Sequence, residues 1–128
     1  MKKLFVCLFI ILTILVTGCS SEIAIMQKGN TTSDKMEYDY FYFDGIKRAY
    51  FHMKEDINIK LDYDLNIKKG NLTLEIIDND DKALWSQEFN KDTEDEIIVK
   101  IKEKGIYKIV VKGEEAKGGF EINYSEVQ

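Results

Sequence analysis

The sequence predicts an all-β fold, a single antiparallel β-sandwich of about eight strands. From Met36 onward, apolar residues recur at every second position. Short polar or glycine-containing segments interrupt this alternation about every ten residues, and no stretch shows helical spacing. One-sided strands that follow one another through short connections are typical of two packed antiparallel layers.

Residues 1–18 precede the predicted domain and have the pattern of an export signal. Lys2 and Lys3 come before the apolar run from Leu4 to Val16. That run is shorter than the about 18 to 20 apolar residues that cross a bilayer, so a transmembrane helix is not expected. An ordinary secretory signal with a small-residue cleavage site is the second alternative.

The segment Val16-Thr17-Gly18-Cys19 resembles the lipobox of bacterial lipoproteins. The resemblance implies cleavage after Gly18, a thioether-linked diacylglycerol on Cys19, and attachment to the outer face of the cytoplasmic membrane. Two acyl chains give stable anchoring. A composition rich in Lys, Ile, Asp and Asn and free of proline indicates an AT-rich genome, such as that of a Gram-positive bacterium.

Residues 19–35 are predicted to hold the lipidated cysteine and a tether, with the β-sandwich domain at residues 36–128. A short apolar run from Ile23 to Met26 interrupts this otherwise polar segment. Two interpretations stay open. The segment is either a flexible coil with an end-to-end distance of roughly 20 to 25 Å, or its apolar run adds a first strand to the sheet.

The predicted strands of the domain cover residues 38–43, 46–53, 57–67, 72–76, 83–89, 97–101, 107–111 and 120–124. Residues 57–67 give the clearest pattern, because six apolar side chains alternate there with polar ones. Lys69-Gly70-Asn71 predicts a turn that joins this strand to the next in an antiparallel hairpin. Another turn is predicted from Gly113 to Gly119.

The segment from Glu103 to Tyr107 resembles the entry into a late strand of immunoglobulin-like sandwiches. In that fold the tyrosine hydroxyl bonds to the upstream backbone at a corner, which implies a structural role for Tyr107. The stretch from Gly105 to Ile122 is also similar to the end of small jelly-roll modules such as bacterial prepeptidase C-terminal domains. The two resemblances imply an immunoglobulin-like or jelly-roll sandwich, and they cover only the last part of the chain.

Aromatic residues are concentrated between Tyr38 and Phe43. Because strand residues two apart share a face, Tyr38, Tyr40 and Tyr42 are candidates for an exposed stripe that stacks sugar rings or a partner's apolar surface. The alternative places Phe41 and Phe43 in the core, with the tyrosines covering a strand face or a cross-strand neighbour.

Trp85 is predicted to fill the core between the layers, with sugar binding as the alternative. The acidic run from Asp78 to Asp81 offers oxygen ligands of the kind that calcium prefers. Such runs also form turns in which the side chains bond to their own backbone, so no metal site is predicted. His52 is the only histidine, and no nucleophile motif accompanies it, so neither an enzyme nor a cofactor is expected.

The charge balance bears on the partners. The chain has 23 acidic and 18 basic residues, and two of the basic ones lie in the signal segment. Phosphate backbones repel such a surface, so nucleic acid is not an expected partner. We expect a membrane-anchored binding or accessory module that engages a surface protein through an edge strand or the Tyr38–Phe43 face. The alternative is a carbohydrate or small-ligand receptor that uses the three tyrosines and Trp85.

Overall fold

The computed structural model describes residues 22–128, which form one antiparallel sheet of six strands in the order β1-β2-β6-β3-β4, with β5 paired to β3. The strands are β1 (Ile23–Thr31), β2 (Lys35–Met53), β3 (Ile57–Ile77), β4 (Ala83–Phe89), β5 (Thr93–Ile101) and β6 (Gly105–Val127). The predicted signal segment and Cys19 lie outside the described residues. Within residues 22–128, no helix has the length and apolarity to cross a membrane.

The segment left open between tether and strand forms a strand. Residues Ile23–Thr31 pair antiparallel with residues 36–44 of β2. The sheet therefore begins well before residue 36, and only Ser20, Ser21 and Glu22 separate Cys19 from it.

The prediction of an all-β antiparallel sandwich is confirmed, and all eight predicted segments lie within strands. Three strands are longer than predicted, because β2, β3 and β6 run for 19, 21 and 23 residues. The predicted hairpin at Lys69-Gly70-Asn71 is wrong, as is the predicted turn from Gly113 to Gly119. Both halves of β3 pair with β6 instead of with each other. Glycines at these places bend the strands while the ladders continue on either side.

Side-chain alternation changes parity at the same level in the long strands. In β3 the buried apolar residues are odd-numbered up to Ile67 and even-numbered from Leu72 to Ile76. In β6 the residues of the core cluster change from odd-numbered to even-numbered between Val111 and Ala116. Register shifts interrupt the β3–β6 ladder at this level. An extra residue at such a bulge kinks the strand and moves the following side chains by one position, so burial continues on the inner face.

Two glycines at this level are required by the backbone. Gly118 has a φ of +129°, and a Cβ there would lie 2.0 Å from the carbonyl oxygen of Asn66. Gly70 has a φ of +77°, and a Cβ there would lie 2.3 Å from the carbonyl oxygen of Glu115. Other residues pay a steric penalty for such φ values, and here neighbouring backbone also occupies the space.

The bends fold the sheet into two facing layers. The first layer comprises β1, β5 and residues 35–44, 57–67 and 116–127, and the second comprises β4 and residues 45–53, 71–77 and 105–113. Aromatic rings meet across the core, with centroid distances of 5.9 Å for Phe51–Tyr124 and 5.4 Å for Tyr63–Phe89. We call the level of Gly45, Gly70 and Gly113 the bend end, and the opposite edge the open end.

Candidate functional site

The three tyrosines predicted as a stripe do not share an exposed face. Tyr40 is 3% exposed and packs against Phe43 and Phe120. Tyr38 is half-buried, and its hydroxyl lies 2.6 Å from Oγ1 of Thr31. A register shift between Tyr40 and Phe43 breaks the alternation on which the stripe depended. Tyr40 is therefore a core residue and offers no ring surface to a ligand.

Phe41 is the exposed aromatic residue of this segment, at 61%, whereas Phe43 is fully buried. The alternative that placed both phenylalanines in the core is correct for Phe43 and wrong for Phe41. Tyr42 is half-buried and lies opposite Ile25 across the β1–β2 ladder. This part of β2 thus presents one exposed ring beside β1.

Trp85 is half-buried on β4 and packs against the hydrophobic core. Its ring centroid lies 6.2 Å from that of Tyr63 in the opposite layer. The residue therefore packs against the core from its border and does not fill it. The sequence placed Trp85 and the tyrosines of β2 in one candidate site, but Trp85 lies on the β4 side of the sheet, beyond β6 and β3.

Two carboxylates of the Asp78–Asp81 turn, those of Asp78 and Asp81, bond within the protein. Oδ1 of Asp78 accepts the backbone N–H groups of Asp80 and Lys82, each at 2.9 Å. Oδ1 of Asp81 lies 2.7 Å from Nζ of Lys108, and this ion pair lowers the pKa of Asp81. Across the described part of the chain, no three His, Cys, Asp or Glu residues are grouped to hold a metal ion. The run acts as the backbone-bonded turn.

Tyr107 has the geometry that the resemblance implies for a corner. Its hydroxyl donates a hydrogen bond of 2.5 Å to the carbonyl oxygen of Glu103, four residues upstream. Burial raises the pKa of this hydroxyl, and the nearby charges of Glu103 and Asp78 raise it further. The hydroxyl therefore stays protonated at neutral pH and holds the turn that precedes β6.

A second tyrosine holds another turn at the open end. The hydroxyl of Tyr124 donates to the carbonyl oxygen of Thr32 at 2.6 Å, across 92 residues of sequence. The backbone N–H of Tyr124 also donates to the carbonyl oxygen of Asp34. Phe51 links the two tyrosines, because its ring lies 6.0 Å from Tyr107 and 5.9 Å from Tyr124. These three rings fix the β1–β2 and β5–β6 turns relative to each other.

A groove of about 320 Å³ opens beside these rings, which is in the size range of small-molecule sites. Phe51 and Tyr124 line it, and Tyr50 borders it with a ring that is 64% exposed. The lining also includes the polar residues Ser33, His52, Ser125 and Glu126. The groove therefore lies among polar residues and beside an exposed aromatic residue, and the aromatic side chains behind it are held in place.

The sequence pattern did not predict this groove. No role was predicted for Tyr50 or Tyr124, and His52 was not expected to be catalytic. Ser33 and Tyr124 lie far apart in the chain, and only the pairing of β2 with β6 brings their surroundings together. No local pattern carries that information.

A larger groove of about 490 Å³ lies on the outer face of the first layer. Its lining is dominated by carboxylates, namely Asp62, Asp64, Glu94, Asp95, Glu96 and Glu121. Nζ of Lys60 lies 3.1 Å from Oε2 of Glu96 at its border, and this contact lowers the pKa of Glu96. The groove is a solvated acidic surface on the β5 side of the molecule.

No protein-family model and no curated protein matches the sequence. Solved structures with a similar fold include the pre-peptidase C-terminal domain of a collagenase from Bacillus anthracis, which is 17% identical with a TM-score of 0.55 and covers 84% of this chain and 100% of that one. A CBM4 carbohydrate-binding module is 7% identical with a TM-score of 0.50 and covers 81% of this chain and 78% of that one. At these identities the shared property is the β-sandwich fold.

Proposed function

We propose that this chain is a non-catalytic glycan-binding module, held at the outer face of the cytoplasmic membrane by a diacylglycerol on Cys19. The open-end groove, with the exposed ring of Tyr50 beside polar side chains, carries the ligand part of the proposal. The resemblance of Val16–Cys19 to a lipobox carries the anchor.

The chemistry of the groove suits a sugar ring. One face of a pyranose carries C–H groups that stack on an aromatic ring, and Tyr50 offers such a ring to solvent. The hydroxyls of the sugar need both donors and acceptors, which Ser33, His52 and Glu126 supply. Because Phe51 and Tyr124 pack behind the groove, little ordering accompanies binding.

Charge selects among glycans. The chain has 23 acidic against 18 basic residues, and Glu126 lines the groove itself. Anionic polymers such as teichoic acids are repelled by this surface, so the ligand is a neutral saccharide. The fold shared with a CBM4 module supports the proposal, because a sandwich of this kind serves as a carbohydrate-binding module in that protein.

The test is retention of the detergent-solubilised full chain on insoluble peptidoglycan and on a panel of neutral β-linked polysaccharides. Tyr50→Ala is expected to weaken binding about tenfold, since loss of one stacked ring costs about 1.4 kcal/mol. Ile98→Ala is the matched control, because Ile98 is 59% exposed but lies on β5. Equal binding by Tyr50→Ala and the parent protein would exclude the groove, and no binding to any polymer would exclude the glycan.

A second candidate is a protein partner that adds a strand to β2. Past Gly45, β2 pairs with β6 on one side, and no strand among residues 22–128 covers its other side. Such an edge accepts an extended peptide through main-chain hydrogen bonds. Cross-linking of the tagged protein in intact cells, followed by mass spectrometry, separates the candidates. One dominant protein partner would favour the edge strand, and capture of no protein would favour the glycan.

A further inference from the structure

The bend end carries an exposed apolar cluster beside the N-terminal end of the described chain. Ile23, Ile25 and Phe41 are 53%, 57% and 61% exposed, and we call them the apolar patch. We propose that the apolar patch lies in the membrane interface when the protein is anchored through Cys19. This inference rests on the proposed anchor and deepens it, because it names the face of the domain that meets lipid.

The patch spans neighbouring segments of the β1–β2 ladder. Ile23 and Ile25 are two residues apart on β1 and therefore share a face. Ile25 lies opposite Tyr42, which is the neighbour of Phe41 in β2. Bulky apolar groups that are exposed together in this way mark an interaction surface, whereas scattered single ones do not.

The length of chain before β1 places the anchor at the same corner. Glu22 lies at the bend end, because its Oε1 is 3.0 Å from Nζ of Lys47 and its side chain packs over Gly45. Cys19 is three residues upstream of Glu22. Successive Cα atoms are about 3.8 Å apart, so the lipidated residue lies within about 11 Å of Glu22. The domain therefore cannot move far from the lipid surface, and the bend end is the part that reaches it first.

The charges beside Phe41 are compatible with this placement. Phe41 borders a shallow groove whose charged lining is Lys68 and Lys117 against one carboxylate, that of Asp39. Lysines at a membrane interface extend their ammonium groups to anionic headgroups while their stems cover apolar surface. The densest carboxylates lie on the β5 side, far from β1 in the strand order. Glu22, Asp44 and Glu115 also lie at the bend end, so this end carries charges of both signs, whereas the charged lining on the β5 side is entirely acidic.

The placement also orients the open-end groove. From Gly45, β2 runs through the second layer to Met53 at the border of the groove. Eight residues of strand at about 3.3 Å each put the groove roughly 26 Å from the bend end. With the apolar patch in the interface, the groove opens away from the membrane toward the extracytoplasmic space.

The experiment uses the processed, lipidated protein reconstituted into phosphatidylcholine/phosphatidylglycerol vesicles that contain brominated acyl chains. In a Trp85→Phe background, Phe41→Trp places a single indole in the patch. Ile106→Trp places the matched indole on an exposed residue of the open end. We expect a blue shift and strong quenching for the position-41 indole and neither effect for the position-106 indole. Equal quenching at both positions, or none at position 41, would overturn the inference.

Two further arms separate this inference from the anchor on which it rests. The mass of the processed chain reports the diacylglycerol on Cys19 directly. If that lipid is missing, the anchor fails, and the patch is tested alone by coupling the Cys19 thiol to a maleimide lipid in the same vesicles. In either format, Ile25→Ser should reduce quenching of the position-41 indole, whereas Ile98→Ser should leave it unchanged. Quenching that both variants leave at the parent level would count against the patch.

Discussion

The bend end and the open end of the sandwich are built by different means. The bend end depends on the main chain, through register shifts and glycines such as Gly70 and Gly118 with positive φ. The open end depends on side chains, because Tyr107 and Tyr124 each donate a hydroxyl to the backbone of a turn. The two ends therefore tolerate different substitutions. The bend end has no room for an added Cβ, and the open end has no other side chain that could replace a lost ring.

The largest effect is expected from Tyr107→Ala at the open end. The ring is 5% exposed and stacks on Phe51, so its removal leaves a cavity and frees the β5–β6 turn. Truncation of a large buried aromatic residue costs about 3 to 5 kcal/mol. Chemical denaturation of the folded domain measures this loss. A change below about 1 kcal/mol would mean that the open end does not depend on its side chains.

Gly118→Ala makes the corresponding test at the bend end. The added Cβ would meet the carbonyl oxygen of Asn66 at 2.0 Å, and the φ of +129° is itself strained for alanine. We expect a loss of about 3 kcal/mol in the free energy of unfolding. Gly105→Ala is the matched control, because its nearest neighbour would be 3.8 Å away. Equal effects of the two substitutions would show that the bend does not require glycine.

Loss of a tyrosine hydroxyl is expected to change the free energy of unfolding differently at two sites. Tyr107→Phe removes the hydrogen bond to Glu103 and should cost about 1 kcal/mol. The hydroxyl of Tyr40, on the bend-end side of the core, is buried, and none of the side chains that the structure describes gives it a hydrogen-bond partner. Tyr40→Phe should therefore leave stability unchanged or raise it by up to about 1 kcal/mol. Thermal unfolding of the two variants measures both changes. A loss of stability in Tyr40→Phe would reveal a hydrogen-bond partner of the Tyr40 hydroxyl, such as a bound water.

The smallest effect concerns pH at the open end. The Lys108 ammonium beside Asp81 lowers the pKa of that carboxyl, so the folded state binds this proton less readily than the unfolded chain. The stabilising contribution is complete above the unfolded pKa of about 3.9 and is lost as the pH falls through the lowered folded value. Asp81→Asn should flatten the stability profile only slightly, below about pH 4, because this ion pair lies on the surface and is screened by solvent. An unchanged profile would show that the pair is too solvated to matter.

The alternation of apolar and polar residues predicted the strand and its inward side chains correctly where a strand is regular. Residues 57–67 form a strand with the predicted inward side chains, and β4 has the predicted bounds of Ala83–Phe89. Alternation failed where the chain bends. The three tyrosines of β2 were placed on one face, but the register shift after Tyr40 divides them between core and surface. A bulge inserts one residue, and its position depends on the neighbouring strands.

The open-end groove also depends on contacts that the alternation along one strand does not predict. Its aromatic residues are visible in the sequence, but Tyr50 and Tyr124 come together only because the two layers face each other at this end. The lipidation of Cys19 stays a prediction from sequence, since it depends on a local motif outside the described residues.

By itself, the sequence determined that the domain is all-β, which segments are strands, and that Tyr107 stands at a corner. These properties follow from the period of side chains along one strand and from contacts within a few residues. Only the tertiary structure decided that glycine segments bend strands instead of ending them, that Phe41 faces outward, and that a groove opens between the layers. Strand pairing sets these features, because it joins residues whose separation in the chain leaves no mark on the local pattern.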